Sequence, residues 1–166
     1  MATGDLVVFL DADLPVPVAT VLEMAAATAD ADLVLGSRRL PGSTYDPPPP
    51  WARRAGGWGF LTAVSAMGYQ PSSDPQCGVK VFRRAALQPV LAAVENDRFA
   101  FDVELIARTR RAGLRVAEVP VPWRYVAGSS VRPVRDAVVT LRDLFRLRPR
   151  LQRAERTASS SAVGPG

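Results

Sequence analysis

An α/β fold is what this sequence predicts, on three observations. Two short apolar runs, Asp5–Leu10 and Asp32–Gly36, carry Val and Leu without polar alternation, as strands covered on both faces do. Between them Val18–Ala29 is alanine-rich and reads as a buried helix. Strand, helix and strand between residues 5 and 36 then predict a right-handed crossover unit with parallel strands. The chain has 166 residues, 48% of them hydrophobic and 22% charged, which suits one domain with a sizeable core.

The first run ends at Asp11-Ala12-Asp13, and Pro15 and Pro17 forbid its continuation as a strand. In open α/β sheets ligands gather at the carboxyl ends of strands, where Asp11 and Asp13 fall. Arg38 and Arg39, just past the second run, come to the same sheet edge. Residues 37–50 form a loop ending in Pro47–Pro50, a polyproline II stretch that is either a stiff spacer or a ligand for an SH3-like partner. Trp51–Met67 reads as a helix despite its glycines. Asp74–Cys77 reads as a turn, Val79–Phe82 as a strand, and Arg84–Val94 as a helix interrupted near Pro89. Phe101–Arg111 is an amphipathic helix with Val103, Ile106 and Ala107 on one face and Gly113 as its C-terminal stop. Leu114–Val119 and Val121–Tyr125 are strand-like. In 134–147 the apolar stripe Val134, Val138, Leu141 and Phe145 is opposed by arginines, giving a C-terminal amphipathic helix. The domain is expected to span 1–147, with a disordered tail over 148–166.

Composition excludes several chemistries. The chain has no histidine, which removes Ser-His-Asp and Cys-His nucleophilic systems and every His-ligated metal site. Cys77 is the only cysteine, so there is no intramolecular disulfide or Cys-cluster zinc site, and a reducing, cytoplasmic setting follows. The net charge of +5 is confined to one segment. Residues 1–130 carry 13 basic and 13 acidic side chains, whereas 131–156 carry eight arginines against Asp136, Asp143 and Glu155. A concentrated cationic segment suits an anionic membrane surface, and the neutral body argues against nucleic acid. No signal peptide is visible, and the apolar part of the longest uncharged stretch, Trp58–Tyr69, would reach only about 18 Å as a helix, too short to span a bilayer.

Any chemistry must therefore come from carboxylates, arginines, hydroxyls, backbone and a bound ion. Asp11 and Asp13 have two readings: hard oxygen ligands for Mg²⁺ or Mn²⁺, or a strand end followed by a helix cap. A phosphatase-like D-x-D-x-T nucleophile fails, because Pro15 stands at the Thr position. The pairs Arg38/Arg39 and Arg53/Arg54 suit bidentate phosphate binding, or are solvated surface arginines. Asp102 and Glu104, two residues apart on a helix, point about 200° apart, so at most one of them faces a given site. Asp74, before Pro75, is a possible turn residue.

Five ordered motifs carry a resemblance. Val8–Leu14 (VFLDADL), Gly36–Arg38 (GSR), Asp74–Gly78 (DPQCG), Phe101–Leu105 (FDVEL) and Ala117–Trp123 (AEVPVPW), followed by Gly128-Ser129, resemble the family 2 glycosyltransferases over about residues 4–147. Among these the chain looks most like the polyprenyl-phosphate sugar transferases, of dolichyl-phosphate β-glucosyltransferase type first and mannose synthase type second. The resemblance implies a partial GT-A (Rossmann-like) sheet with flanking helices, and a D-x-D motif that holds a nucleoside diphosphate sugar through Mg²⁺ or Mn²⁺. It implies that Asp11 contacts the sugar or ribose and, with Asp13, ligands the ion. Arg38 with Arg53 or Arg54 would hold the phosphate of a polyprenyl phosphate acceptor. Asp74 and Asp102 would be the catalytic carboxylates near donor sugar and acceptor, and Ser129 would close over the diphosphate.

The implied reaction is inverting transfer to a phosphate that is already an anionic nucleophile. The DPQCG and FDVEL wording favours UDP-glucose over GDP-mannose. The cationic C-terminal helix implies a cytoplasmic chain, peripheral at the inner face of the cell membrane. Three departures stand out: Pro15 where mannose synthases commonly carry Gln, Ser130 where the closing loop usually has Lys, and an opening at the D-x-D strand itself. Family members begin with a segment that binds the nucleotide base, so the chain is expected to be truncated or complemented by another chain supplying that half. The alternative is a non-catalytic remnant that binds membrane or a partner through residues 131–156.

Overall fold

The computed structural model describes residues 3–12, 16–46, 48, 50–96, 98–124 and 133–162. In chain order the elements are β1 (Leu6–Leu10), α1 (Val18–Ala27), β2 (Leu33–Ser37), β3 (Thr44–Asp46), α2 (Trp51–Ala66), β4 (Val79–Arg83), α3 (Arg84–Ala93), α4 (Ala100–Arg111), β5 (Val116–Pro120), β6 (Pro122–Arg124) and α5 (Pro133–Ala162). The fold is mixed α/β, as predicted, and consistent with a partial Rossmann-like GT-A domain.

The main sheet has the order β1-β4-β2-β5. β4 runs antiparallel to both β1 and β2, pairing Val81 with Val8 and with Val34, while β2 and β5 are parallel. β1 and β2 are thus parallel as expected, but β4 is inserted between them. A second sheet pairs β3 with β6 in parallel.

β2 is buried along its whole length, as its unbroken apolar run requires. β1 departs from expectation. Leu6, Val8 and Phe9 are 40%, 43% and 46% exposed, because β1 is an edge strand and α1 packs over β4 and β2 instead. Met24 of α1 joins Val34, Val79, Val81 and Val121 in the core on that side of the sheet. On the other side Leu87 and Val90 of α3 and Leu105 and Ile106 of α4 cover Leu33, Leu35 and Phe82. A third core joins α2, α4 and α5 through Val64, Val103, Ala107, Leu144 and Leu147.

Helix α4 is therefore buried on two sides rather than one. Ile106 faces the sheet, whereas Val103 and Ala107 face α2 and α5. It ends as predicted: Gly113 takes φ +73°, its N–H bonds to Arg110 O, and Leu114 N–H bonds back to Thr109 O. Helix α3 is not interrupted at Pro89; the buried Leu87 and Val90 hold it against the sheet on either side of the missing donor.

Helix α5 brings two corrections. Its buried stripe is Thr140, Leu144, Leu147 and Leu151, and the predicted stripe is mostly outside, with Val134, Val138 and Phe145 80%, 62% and 66% exposed. It also continues through Pro149 to Ala162 instead of ending at 147, and Leu151 packs against the α2–α4–α5 core beyond that boundary. Tyr69 anchors α5 by donating its hydroxyl to Leu144 O at 2.7 Å; burial pushes that phenol up to about 12. Among the described residues no helix is long and apolar enough to cross a membrane.

Candidate active site

Because β1 and β2 are parallel, Asp11 and the arginines after β2 reach one edge of the sheet, as predicted. There they line a cleft of about 930 Å³ closed on its far side by α2 and α5. Asp11 N–H bonds to Gly78 O at 2.8 Å, and the Asp11 carboxylate lies over the Gly78 Cα, where any side chain would collide with it. That contact accounts for the glycine closing the DPQCG motif. Asp11 itself is exposed, with no side-chain hydrogen bond or ion pair among the described residues.

Arg38 and Asp74 form a fork. Arg38 Nε and Nη2 donate to Asp74 Oδ2 and Oδ1 at 2.6 and 2.8 Å, and the Arg38 backbone N–H adds a third bond at 3.1 Å. The guanidinium lies 4.8 Å from the Trp123 ring centroid and 6.0 Å from that of Tyr45. Burial would lower the Arg38 pKa, but the bond and charge of Asp74 outweigh it and hold it above its ordinary value. Burial would likewise raise the Asp74 carboxyl, and Arg38 instead holds it below the usual carboxylate range. Both Asp74 oxygens are engaged, so Asp74 stands as an organiser of Arg38 rather than an available base. Beneath them Glu118 accepts from Ser73 N–H and Oγ–H, and Ser73 Oγ lies 2.7 Å from Ser37 Oγ, which accepts the Arg39 N–H at 3.2 Å.

Asp102 reaches the cleft floor from α4 and pairs with Lys80 at 2.8 Å. Burial raises its carboxyl above the usual range; Lys80 opposes that, and the charges of Asp11 and Asp74 add to it. Glu104 points away, as the helical spacing required: fully buried, it accepts from Glu95 and Asn96 backbone N–H groups and from Arg108 Nε at 2.7 Å.

Lys80 was missed by sequence reasoning. It is 2% exposed, donates to Cys77 O at 2.8 Å, and sits 5.8 Å from the Phe9 ring centroid. A signal was available: it is the only lysine among 21 basic residues, and it lies inside an apolar strand. Cys77 beside it is buried, and burial followed by the Asp74 charge pushes its thiol up to about 12, leaving it protonated and inert.

Arg39 and Arg54 line the cleft wall, exposed and in no ion pair among the described residues. The Arg53 side chain, Asp13 and Ser129 lie outside what is described. Among the described residues no three carboxylate or thiol groups converge as a metal cage. The exposed hard oxygens of Asp11, with no cationic partner among the described residues, do fit one position in the shell of Mg²⁺ or Mn²⁺. The cleft wall formed by Trp58, Phe60 and Leu61 of α2 with Val134, Val138 and Leu141 of α5 is apolar.

No family model matches the chain. It is 31% identical over 162 residues to glycosyltransferase AglD of Haloferax volcanii, taking in 92% of this chain and 25% of that protein. Against dolichyl-phosphate β-glucosyltransferase of Saccharomyces cerevisiae it is 32% identical over 91 residues, 55% of this chain and 27% of the relative. Against undecaprenyl-phosphate mannosyltransferase of Micrococcus luteus it is 31% identical over 120 residues, 72% of this chain and 49% of the relative. The chain thus spans between a quarter and a half of the length of these curated relatives. With the motifs and the partial GT-A sheet already in place, these matches make the chain a homologue of the family 2 glycosyltransferases.

Proposed function

We propose that the chain forms the acceptor side of a metal-dependent, inverting glycosyltransferase moving a sugar, glucose before mannose, from a nucleoside diphosphate sugar to a polyprenyl phosphate. The observation that carries this reading is one cleft with carboxylates and Lys80 on its floor, Arg39 and Arg54 on its wall, and an apolar lining from α2 and α5. An amphiphile with an anionic head fits that distribution. The names of the relatives agree, since those printed with an acceptor carry dolichyl or undecaprenyl phosphate.

A phosphate monoester has its second pKa at about 6, so the acceptor oxygen is a nucleophile at neutral pH without a strong base. Attack opposite the leaving diphosphate inverts the anomeric carbon. Asp102, on the cleft floor, would act near the reacting groups, and the arginines would offset the repulsion between two anions. Asp11, with Asp13, would hold Mg²⁺ or Mn²⁺; when bound, such an ion neutralises charge on the leaving diphosphate. The donor favoured is UDP-glucose. The chain would work on the cytoplasmic side, peripheral at the inner face of the cell membrane, resting on the exposed Val134, Val138 and Phe145 of α5 among its arginines.

The test is transfer of radiolabel from UDP-glucose or GDP-mannose to a polyprenyl phosphate, with Mn²⁺ and then with EDTA. Label should reach the lipid with Mn²⁺, and be lost with EDTA, with Asp11→Asn and with Asp102→Asn. Transfer that persists in EDTA sinks the metal dependence. A folded chain that binds anionic vesicles and transfers nothing supports the second reading, a non-catalytic membrane-docking protein, which the outward apolar face of α5 favours.

A further inference from the structure

We infer that Lys80 is a positioning residue of this cleft: it ties down one oxygen of Asp102 and so presents the other to the bound sugar. The inference rests on the transferase reading, in which Asp102 works beside the reacting groups, and it adds the residue that fixes how Asp102 faces them.

Lys80 stands where the fold by itself calls for an apolar side chain. β4 turns Val79 and Val81 toward α1 and Phe82 toward α3 and α4, so the alternation puts Lys80 on the α4 side. Its neighbours across the sheet are Phe9 of β1 and Leu35 of β2. At 2% exposure the side chain has given up its water, a cost that a leucine or methionine in that slot would spare. The ammonium reaches Cys77 O and Asp102 Oδ1, each at 2.8 Å. The first contact fixes the lysine to the turn before β4, and the second fixes the carboxylate.

The choice of cation matters, since this is the only lysine among 21 basic residues. Where an arginine meets a carboxylate on the same floor, its fork takes both oxygens: Arg38 holds Asp74 Oδ2 through Nε and Oδ1 through Nη2. A lysine is a point charge and here takes one. Asp102 Oδ2 is left without a hydrogen bond or ion pair among the described residues, on a side chain 17% exposed at the cleft floor. An ionised oxygen so placed accepts from a hydroxyl, the group a sugar offers. Burial and the charges of Asp11, after β1, and Asp74, before β4, all disfavour the ionised form, and Lys80 opposes them.

Two variants of the full chain separate charge from geometry. Carbon-13 NMR of labelled aspartate carboxyls, with Asp102→Asn identifying the signal, reads the Asp102 titration, and transfer from UDP-glucose reads kcat, KM and the pH profile. Lys80→Met should move the Asp102 titration and the acid limb of kcat upward together, by about one pH unit or more. It should also lower kcat roughly tenfold while KM for UDP-glucose changes less than about threefold. Lys80→Arg keeps the charge but takes both oxygens, so the titration should stay and kcat should fall. Leu87→Ala, a core change in α3, should lower the melting temperature and leave the titration and the acid limb in place, which is the pattern a merely structural role for Lys80 would give. An unmoved titration in Lys80→Met, a moved one with kcat and its acid limb unchanged, or full kcat in Lys80→Arg overturns the inference. Folded wild type that transfers nothing removes the transferase reading alone. The inference then stands if UDP-glucose with Mg²⁺ perturbs the Asp102 signal in wild type and not in Lys80→Met, and falls on any other result.

Discussion

The floor and the wall of the cleft treat charge in opposite ways. On the floor, Asp74 is tied to Arg38 and Asp102 to Lys80, each pair holding at least one side chain that is nearly inaccessible. On the wall, Arg39 and Arg54 are exposed and in no ion pair among the described residues, and Val134 and Val138 stand in solvent beside them. Buried charge must be neutralised within the fold, because its desolvation is not repaid otherwise. Exposed charge costs the fold little and stays available to a ligand. The difference teaches where to look for binding: at groups the fold can spare.

The comparison breaks most sharply at Asp74. Asp74→Ala strands the Arg38 guanidinium and should cost about 3–5 kcal/mol in urea unfolding, against almost nothing for changes on the wall. The same pair sets an acid limb. The folded-state pKa of Asp74 lies below its unfolded value, so its stabilisation is present above about pH 4 and is lost as pH falls through the lowered native value. Stability curves against pH should flatten on that side in Asp74→Ala; an unchanged acid limb would assign it to other carboxylates.

A smaller effect sharpens the picture of the floor. Lys80→Met and Asp102→Asn each leave a partner uncompensated, so the double variant should be less destabilised than the sum of the singles, by about 1–3 kcal/mol. Additive singles would mean that the two side chains do not depend on each other. Smallest of all in stability is the outward face of α5. Phe145→Asp should shift stability by no more than about 0.5 kcal/mol, yet weaken sedimentation with anionic vesicles. A large loss of stability there would show that Phe145 packs against the body of the protein.

Much of the fold is legible in the sequence where the signal is local. The strand runs, the helix over Phe101–Arg111 and its stop at Gly113 follow from apolar runs, helical period and a residue that tolerates positive φ. The divergence of Asp102 from Glu104 follows from helix geometry alone, and the two carboxylates do part, one to the cleft and one to Arg108. The face of α5 is another matter. Val134, Val138, Leu141 and Phe145 share the spacing of Thr140, Leu144, Leu147 and Leu151, so periodicity cannot choose between them. Packing against Val64 of α2 and Val103 of α4 chooses the second stripe and leaves most of the first outside.

By itself, then, the sequence determined the order of the elements other than β3, which falls in the 37–50 segment read as a loop, the sheet edge that carries Asp11 and the arginines, and the motifs that tie the chain to its relatives. Those are matters of local pattern and strand direction, which neighbouring residues decide. Only the tertiary structure decided that β4 enters between β1 and β2, that Lys80 neutralises Asp102, and that Arg38 pairs with Asp74 while Arg39 is in no ion pair among the described residues. Arg38 and Asp74 are 36 residues apart, and no local pattern marks either one as the other's partner. Such pairings come out of competition for burial across the whole molecule, in which each charge must be matched or left in water.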